Sequence, residues 1–267
     1  MPITPLHPVR RLSQAQFAEL SYEVMRCVFE IHKEFGSFFD EKIYKRELAS
    51  RLARVQIEFP IMVAHRTFSK TYYLDALIAD GGPFEFKVVE RLTPAHRGQL
   101  YNYLLLLDLS HGKLVNLRQE SVQHEFVNAL LRPDERRQFE VSMDRWDRSI
   151  PSQDALVEWV VSMVQDWGTG LELSLYQAAV THFLGGPDKV LRDVAVHGSR
   201  HELGYQPMRL LAPGVAFKVT AFDQELARFE THARRMLAHT DLRAMAWINI
   251  GLRHVTFVTM QQKHDRR

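Results

Sequence analysis

The chain has 267 residues, of which 46% are apolar and 25% charged, with a net charge of +2; this is the balance of a soluble globular protein with room for one large or two small domains. So small a net charge does not by itself imply a polyanion partner, and no apolar run approaches the roughly 20 residues that span a bilayer. The lone cysteine, Cys27, rules out intrachain disulfides, thiolate zinc sites and iron–sulfur clusters; read as a small buried apolar residue, in a chain whose start MPITPLHPVRRLSQ shows no signal peptide, it predicts a cytoplasmic protein.

In chain order, residues 14–35 predict a helix. Phe17, Leu20, Val24, Val28 and Ile31 recur at three- and four-residue steps, and Gly36 is placed to stop it. A second helix is expected over about 38–54. VQIEFPIMVAH and TFSKTYYLDALIAD follow as strands, then a DGGP turn at 80–83, then FEFKVVE as a third strand. Thr93-Pro94 opens another helix that runs to about Leu107, and KLVNL and SVQHEFV close the segment as strands. Basic residues cluster at Lys42, Lys45, Arg46, Arg51 and Arg54, and again at Arg132, Arg136 and Arg137; solvated helix faces are the expectation for both.

Past Leu131 the chain turns polar and proline-flanked, and residues 132–151 are expected to form a linker. The earlier pattern then restarts. Gly36 and Tyr44 recur 132 positions on as Gly168 and Tyr176; FEFKVV returns as VAFKVT at 215–220, LVNL as WINI at 247–250, and SVQHEFV as HVTFV. Matches in one order at a nearly constant offset predict a tandem repeat, with domains at 1–131 and 152–267.

Charged residues stand out in LDALIADGGPFEFK. Asp75 lies late in one predicted strand, and Glu85 and Lys87 lie two apart on the next, on one face. The turn at 80–83 folds the two strands antiparallel, so Asp75 and Glu85 converge. Two carboxylates and a main-chain carbonyl suit Mg²⁺, which keeps its other positions for water and phosphate. Lys87 beside them is placed to orient an attacking water and offset growing negative charge. A solvated strand face with an ion pair is the plainer alternative. Phe84, Phe86, Val88 and Val89 argue against it, because a charge on so apolar a strand needs a partner or a task. Gln99 and Tyr103, four apart, share one face of the following helix. Glu41 and Tyr44, three apart, share a face of the second helix.

This set resembles the PD-(D/E)xK nuclease superfamily and, within it, the GxxExxY family. HKEFG followed by FFDEKIY carries the motif's glutamate and tyrosine as Glu41 and Tyr44, with Phe38 in place of the leading glycine. Asp75 and Glu85-Phe86-Lys87 match the family's Asp and Glu-x-Lys. VVERLTPAHRGQLYNYL is similar to the family's following segment, with Gln99 and Tyr103 in the Gln-x-x-x-Tyr signature shared with RecB- and Cas4-like nucleases. The resemblance covers about residues 14–127. It implies an α/β fold with a mixed sheet flanked by helices, and metal ligation by Asp75, Glu85 and the main-chain carbonyl of Phe86. Glu41 then serves as a third acidic ligand, direct or through water, unless it only favours the helix dipole. Tyr44 packs behind it or bonds a phosphate. Gln99 and Tyr103 hold a phosphate or the Glu-x-Lys strand.

By the same offset the second copy places Leu173 at Glu41, about Pro207 at Asp75, Ala216 at Glu85 and Lys218 at Lys87, with Gln99 and Tyr103 falling near His232 and Met236. Two tandem PD-(D/E)xK-like domains are thus expected, the second degenerate and without acidic ligands. Its helix 223–239, with Arg228, Arg234 and Arg235, either extends a nucleic-acid groove or is a solvated face. His96 and His111 are expected in or beside a loop near the site, outside any ligand pair. The expected activity is Mg²⁺- or Mn²⁺-dependent hydrolysis of DNA; RNA and branched DNA stay open, as do a homodimer, an intramolecular pseudo-dimer and a non-catalytic binding module.

Overall fold

The computed structural model describes residues 2–150 and 153–262. The expected domain and linker boundaries at 1, 151, 152 and 267 lie outside the described residues. The chain divides into two compact units, residues 1–133 and 134–267.

The first unit begins with a short strand, β1 (Ile3–Pro5), and the helix α1 (Gln14–Phe35). A reciprocal cap starts α1: the Gln16 amide donates to Ser13 Oγ (3.3 Å) and the Ser13 amide to Gln16 Oε1 (3.0 Å). Gly36, in the left-handed region at φ 71°, ends it. Helix α2 (Glu41–Arg51) is shorter at both ends than expected. Strands β2 (Val55–His65), β3 (Phe68–Ile78) and β4 (Gly82–Lys87) follow, then α3 (Pro94–Leu107), β5 (His111–Asn116) and β6 (Gln123–Asn128). The β3–β4 turn lies one residue earlier than DGGP, because Ala79 and Asp80 adopt the left-handed conformation (φ 51° and 59°) and β4 already starts at Gly82. Gly81 is required there: a Cβ on it would lie 2.2 Å from the Arg10 carbonyl oxygen.

The six strands form one sheet in the order β1-β2-β3-β4-β5-β6, antiparallel except for the parallel pair β4–β5. Helices α1 and α2 bury Phe17, Val24, Val28, Ile31, Tyr44 and Leu48 against Ala76, Ile78, Phe84, Phe86 and Val115. Helix α3 covers the other face. The place where a Cβ on Gly112 would sit is 3.1 Å from Leu100 and 3.2 Å from Leu104, so glycine permits the close approach.

The second unit contains α4 (Pro133–Arg136), β7 (Glu140–Arg145), α5 (Gln153–Trp167), α6 (Leu173–Phe183), α7 (Pro187–Val190), β8 (Leu191–His197), β9 (Glu202–Ala212), β10 (Val215–Thr220), α8 (Leu226–Ala238), β11 (Ala244–Ile250) and β12 (His254–Gln261). Its sheet runs β7-β12-β11-β10-β9-β8. The stretch expected as a linker is largely part of this unit. β7 adds to the sheet parallel to β12. Arg136, expected on a solvated face, is buried and donates to the carbonyls of Trp167 (2.9 Å) and Thr169 (2.7 Å). A polar, proline-flanked segment reads as loop in one dimension; main-chain acceptors far along the chain give its charges a place inside.

The pairings β8–β9 antiparallel, β9–β10 antiparallel, β10–β11 parallel and β11–β12 antiparallel reproduce those of β2 through β6. Local braces recur as well. Tyr44 donates to the Gly36 carbonyl (2.7 Å) and accepts from the Phe39 amide (3.3 Å). Tyr176 likewise donates to the Gly168 carbonyl (2.5 Å) and accepts from the Leu171 amide (3.4 Å). The Asn116 amide bonds both main-chain groups of Val89, and the Asn249 amide both of Phe222, each across 27 residues.

Candidate functional site

The site lies where β3 and β4 part. Their antiparallel ladder runs from Ile78↔Gly82 to Ala76↔Phe84. One step further Asp75 and Glu85 stand side by side and the ladder stops. The Phe86 amide turns instead to Asp75 Oδ2 at 2.9 Å. A main-chain donor that would otherwise continue the sheet thus fixes the carboxylate.

Glu85 is fully buried, flanked in the parallel register by Leu114. Its Oε1 accepts from Lys87 Nζ at 2.6 Å, and the same ammonium lies 3.7 Å from Asp75 Oδ2. One ammonium within reach of both carboxylates shows that they converge, as their spacing predicts. Glu85 Oε2 is buried with no hydrogen-bond partner. Burial, and then the negative charge of Asp75, push the Glu85 carboxyl up to about 8. Burial pulls Lys87 down, but the Glu85 carboxylate, charge and hydrogen bond together, outweighs it and the ammonium is held above its ordinary range.

Glu41 opens the first turn of α2 and faces the same group of charges. Burial and the Asp75 charge raise its carboxyl. Lys45, one helical turn on, was expected on a solvated face and is instead 5% exposed. Its Nζ lies 3.1 Å from Glu41 Oε1 and 2.8 Å from Asp75 Oδ1, and it also bonds Glu58. Despite burial, these three carboxylates hold it charged. Glu58 sits mid-strand in β2 at φ 52°. Ile57 faces Ala76 and Phe59 faces Leu74, so Glu58 stands across from Asp75 and leaves the ladder to do so. A left-handed glutamate inside a strand is strained, and the salt bridge to Lys45 holds it there. Sequence reasoning missed both residues. The available signals were Lys45 four residues after Glu41, hence on one helical face, and Glu58 breaking an apolar strand.

Gln99 and Tyr103 are brought to the site's edge but not into it. The buried Tyr103 hydroxyl donates to the Tyr73 carbonyl (2.8 Å), and Gln99 donates to that hydroxyl (3.3 Å). They brace β3, two residues before Asp75, rather than the Glu-x-Lys strand. The Tyr44 hydroxyl is taken by the α1–α2 loop described above and packs behind Glu41's turn. His96 caps α3, accepting from the Thr93 amide at 3.1 Å. His111 opens β5 directly after the loop that follows α3, and stacks on Phe17.

Among the described residues, no three His, Cys, Asp or Glu side chains are grouped so that they could hold a metal ion; Lys45 takes an oxygen each of Glu41 and Asp75, and Lys87 one of Glu85. The donor chemistry nevertheless fits a hard divalent cation. All donors are oxygens, and Glu85 presents a buried oxygen with no other partner.

In the second unit the equivalent place holds no carboxylate. Leu173 opens α6 where Glu41 opens α2. Ala216, expected at Glu85, instead faces Leu210 as Pro83 faces Leu77; Lys218 pairs with Trp247 as Glu85 pairs with Leu114, and Thr220 with Asn249 as Lys87 with Asn116, so Lys218 stands at Glu85 and Thr220 at Lys87. In this register Met208 stands at Asp75, one residue from the expected Pro207, which pairs with Asp193. The β9–β10 turn is one residue shorter than the β3–β4 turn, and a bulge beside Ala216 restores the register. Lys218 is exposed. The basic face expected on α8 is matched by acid: Arg228 pairs with Glu225 (3.4 Å), and Arg145 and Arg234 with Glu230 (2.7 and 3.9 Å).

A family model described as the PD-(D/E)XK nuclease superfamily matches residues 18–128. No curated protein and no solved structure matches the chain.

Proposed function

We propose, from the match of residues 18–128 to the PD-(D/E)XK nuclease superfamily, that the first unit is a metal-dependent deoxyribonuclease whose site is built by Glu41, Asp75, Glu85 and Lys87. The observation that carries this reading is the buried Glu85 carboxylate, one oxygen on Lys87 and the other without a partner, beside an Asp75 fixed by the Phe86 amide. Asp75, Glu85 and the Phe86 carbonyl would hold Mg²⁺ or Mn²⁺, with Glu41 completing the acidic shell. Bound there, the cation supplies Lewis-acid stabilisation of the charge that builds on the scissile phosphate and its leaving oxygen. Lys87 holds the attacking water against the phosphate. Lys45 keeps Glu41, Glu58 and Asp75 from repelling one another before the cation arrives. Gln99 and Tyr103 hold β3, and so Asp75, in place.

The second unit, on this reading, is a degenerate copy that keeps the scaffold without the acids; DNA or a partner protein is its proposed contact. The lone buried Cys27 fits cytoplasmic work, and no described helix is long and apolar enough to cross a membrane.

The test incubates single- and double-stranded DNA with Mg²⁺ or Mn²⁺, with and without EDTA. Cutting that needs the metal, and that falls by at least about 10³-fold in Asp75→Ala or Lys87→Ala, is expected; full cutting by either variant removes the assignment. The pairing of Lys45 and Lys87 with the carboxylates favours one rival, a non-catalytic pseudo-nuclease module that binds nucleic acid or protein. Calorimetry separates the two. Mn²⁺ binding lost in Glu85→Ala supports the enzyme, and salt-sensitive DNA binding with no metal uptake supports the module.

A further inference from the structure

The motif glycine three residues before Glu41 is replaced in this chain by Phe38. At 86% exposure, Phe38 is the most exposed large apolar side chain among the described residues. Burial in the core does not explain it. The guanidinium of Arg118 lies 5.7 Å from the ring centroid, and the carboxylate near it, Glu90, is 3.9 Å away and itself exposed. Arg118 belongs to the loop that leaves the site. The amide of its predecessor, Leu117, donates to the Lys87 carbonyl at 2.8 Å. His32, near the end of α1, bonds the carbonyl of Gln119 at 3.0 Å and ties that loop beside the entry to α2. The ring is therefore placed between Glu41 on one side and the exit from Lys87 on the other. Tyr73, two residues before Asp75 on β3, is 55% exposed as well.

An exposed aromatic face with a guanidinium beside it, next to a phosphodiesterase site, matches the chemistry of an unpaired nucleobase and its phosphate. The ring offers sequence-tolerant stacking, and the cation meets the backbone charge. A base inside a duplex has both faces covered by its neighbours and cannot use such a ring. We propose that Phe38 is a stacking platform, with Arg118 as its phosphate contact, and that the nucleic acid entering this site is single-stranded where it meets α2. The proposal rests on the phosphodiesterase reading for its location.

The experiment titrates the full chain, in EDTA so that nothing is cut, with a fluorescein-labelled oligothymidylate of about 20 nucleotides, longer than the usual single-strand site, and with a duplex of equal length. The expected result is a single-strand affinity at least about tenfold above that for duplex. Phe38→Ala loses about tenfold on the single strand and nothing on the duplex, as the removal of one stacked base predicts. Phe38→Trp keeps the affinity, and its fluorescence is quenched by the oligonucleotide. Equal affinity for the two forms, or unchanged single-strand binding in Phe38→Ala, overturns the proposal. So does a Phe38→Trp emission that is already that of a buried indole and ignores the oligonucleotide, which would mean that a protein surface covers the ring. Because the readout needs neither metal nor cutting, a chain that stacks single strands through Phe38 but never hydrolyses them with Mg²⁺ or Mn²⁺ sinks the enzymatic reading alone.

Discussion

The two units share strand connectivity, a tyrosine brace and an asparagine brace, yet differ wherever the first carries charge. Where Glu85 is buried in the first, Lys218 is exposed in the second; where Lys87 is tied to two carboxylates, Thr220 is buried and bonded to Asn249 and Trp247. The braces are satisfied by main-chain partners within each unit and so depend on nothing outside the fold. The charges differ in kind. A buried carboxylate costs free energy unless its partners are present together. The first unit retains Glu41, Lys45, Glu58, Asp75, Glu85 and Lys87 as one set, and no carboxylate stands at the equivalent positions in the second. Scaffold and site are thus separable, and the scaffold is the part that does not need the site.

The sharpest way to break this comparison is to add an acid to the second unit, two residues before a lysine as Glu85 precedes Lys87. Ala216→Glu places a carboxylate among Trp247, Leu237 and Met245, with the exposed Lys218 two residues on as its one neighbouring cation on β10, and is expected to cost roughly 3 kcal/mol or more in urea unfolding. A variant that is as stable as the parent and takes up Mn²⁺ would mean that the second unit still holds a latent site.

Next in size is a pH dependence confined to the first unit. The Glu85 carboxyl is raised from 4.5 to about 8 and Glu41 is raised as well, so between these values the folded chain binds more protons than the unfolded one. This contribution is fully present below pH 4.5. It is lost as the pH rises through about 8, and stability of the metal-free protein falls by a few kcal/mol over that window. Glu85→Gln removes most of the slope, measured as thermal unfolding at a series of pH values. Mn²⁺ affinity moves the opposite way, tightening as the pH rises, because the cation competes with the proton on Glu85. A slope that survives in Glu85→Gln assigns it elsewhere.

The smallest effect compares the two tyrosines. Tyr176→Phe strands a buried carbonyl and amide and costs about 2 kcal/mol; Tyr44→Phe, with the same bonds in a wetter loop, costs about 1 kcal/mol. Loss of cutting in Tyr44→Phe without loss of stability would show instead that its hydroxyl serves the phosphate.

The sequence by itself carried the local order of the fold. α1 and α3 keep their expected limits, because amphipathic spacing, Gly36 and Thr93-Pro94 are short-range signals that the chain obeys wherever it lies. The convergence of Asp75 and Glu85 was legible for a similar reason: one turn joins their strands, so register follows from turn length. The mapping of Glu85 onto Ala216 failed because the letter echo of FEFKVV in VAFKVT aligns two residues away from the strand pairing, which puts Lys218 at Glu85. Only the tertiary structure decided the rest. Lys45 reads as one more basic residue of a charged helix until β2 and β3 bring Glu58 and Asp75 to it. Arg136 reads as linker until the carbonyls of Trp167 and Thr169 enclose it. Whether a charged side chain is solvated or buried depends on partners distant in the chain, and no local pattern encodes where those partners will stand.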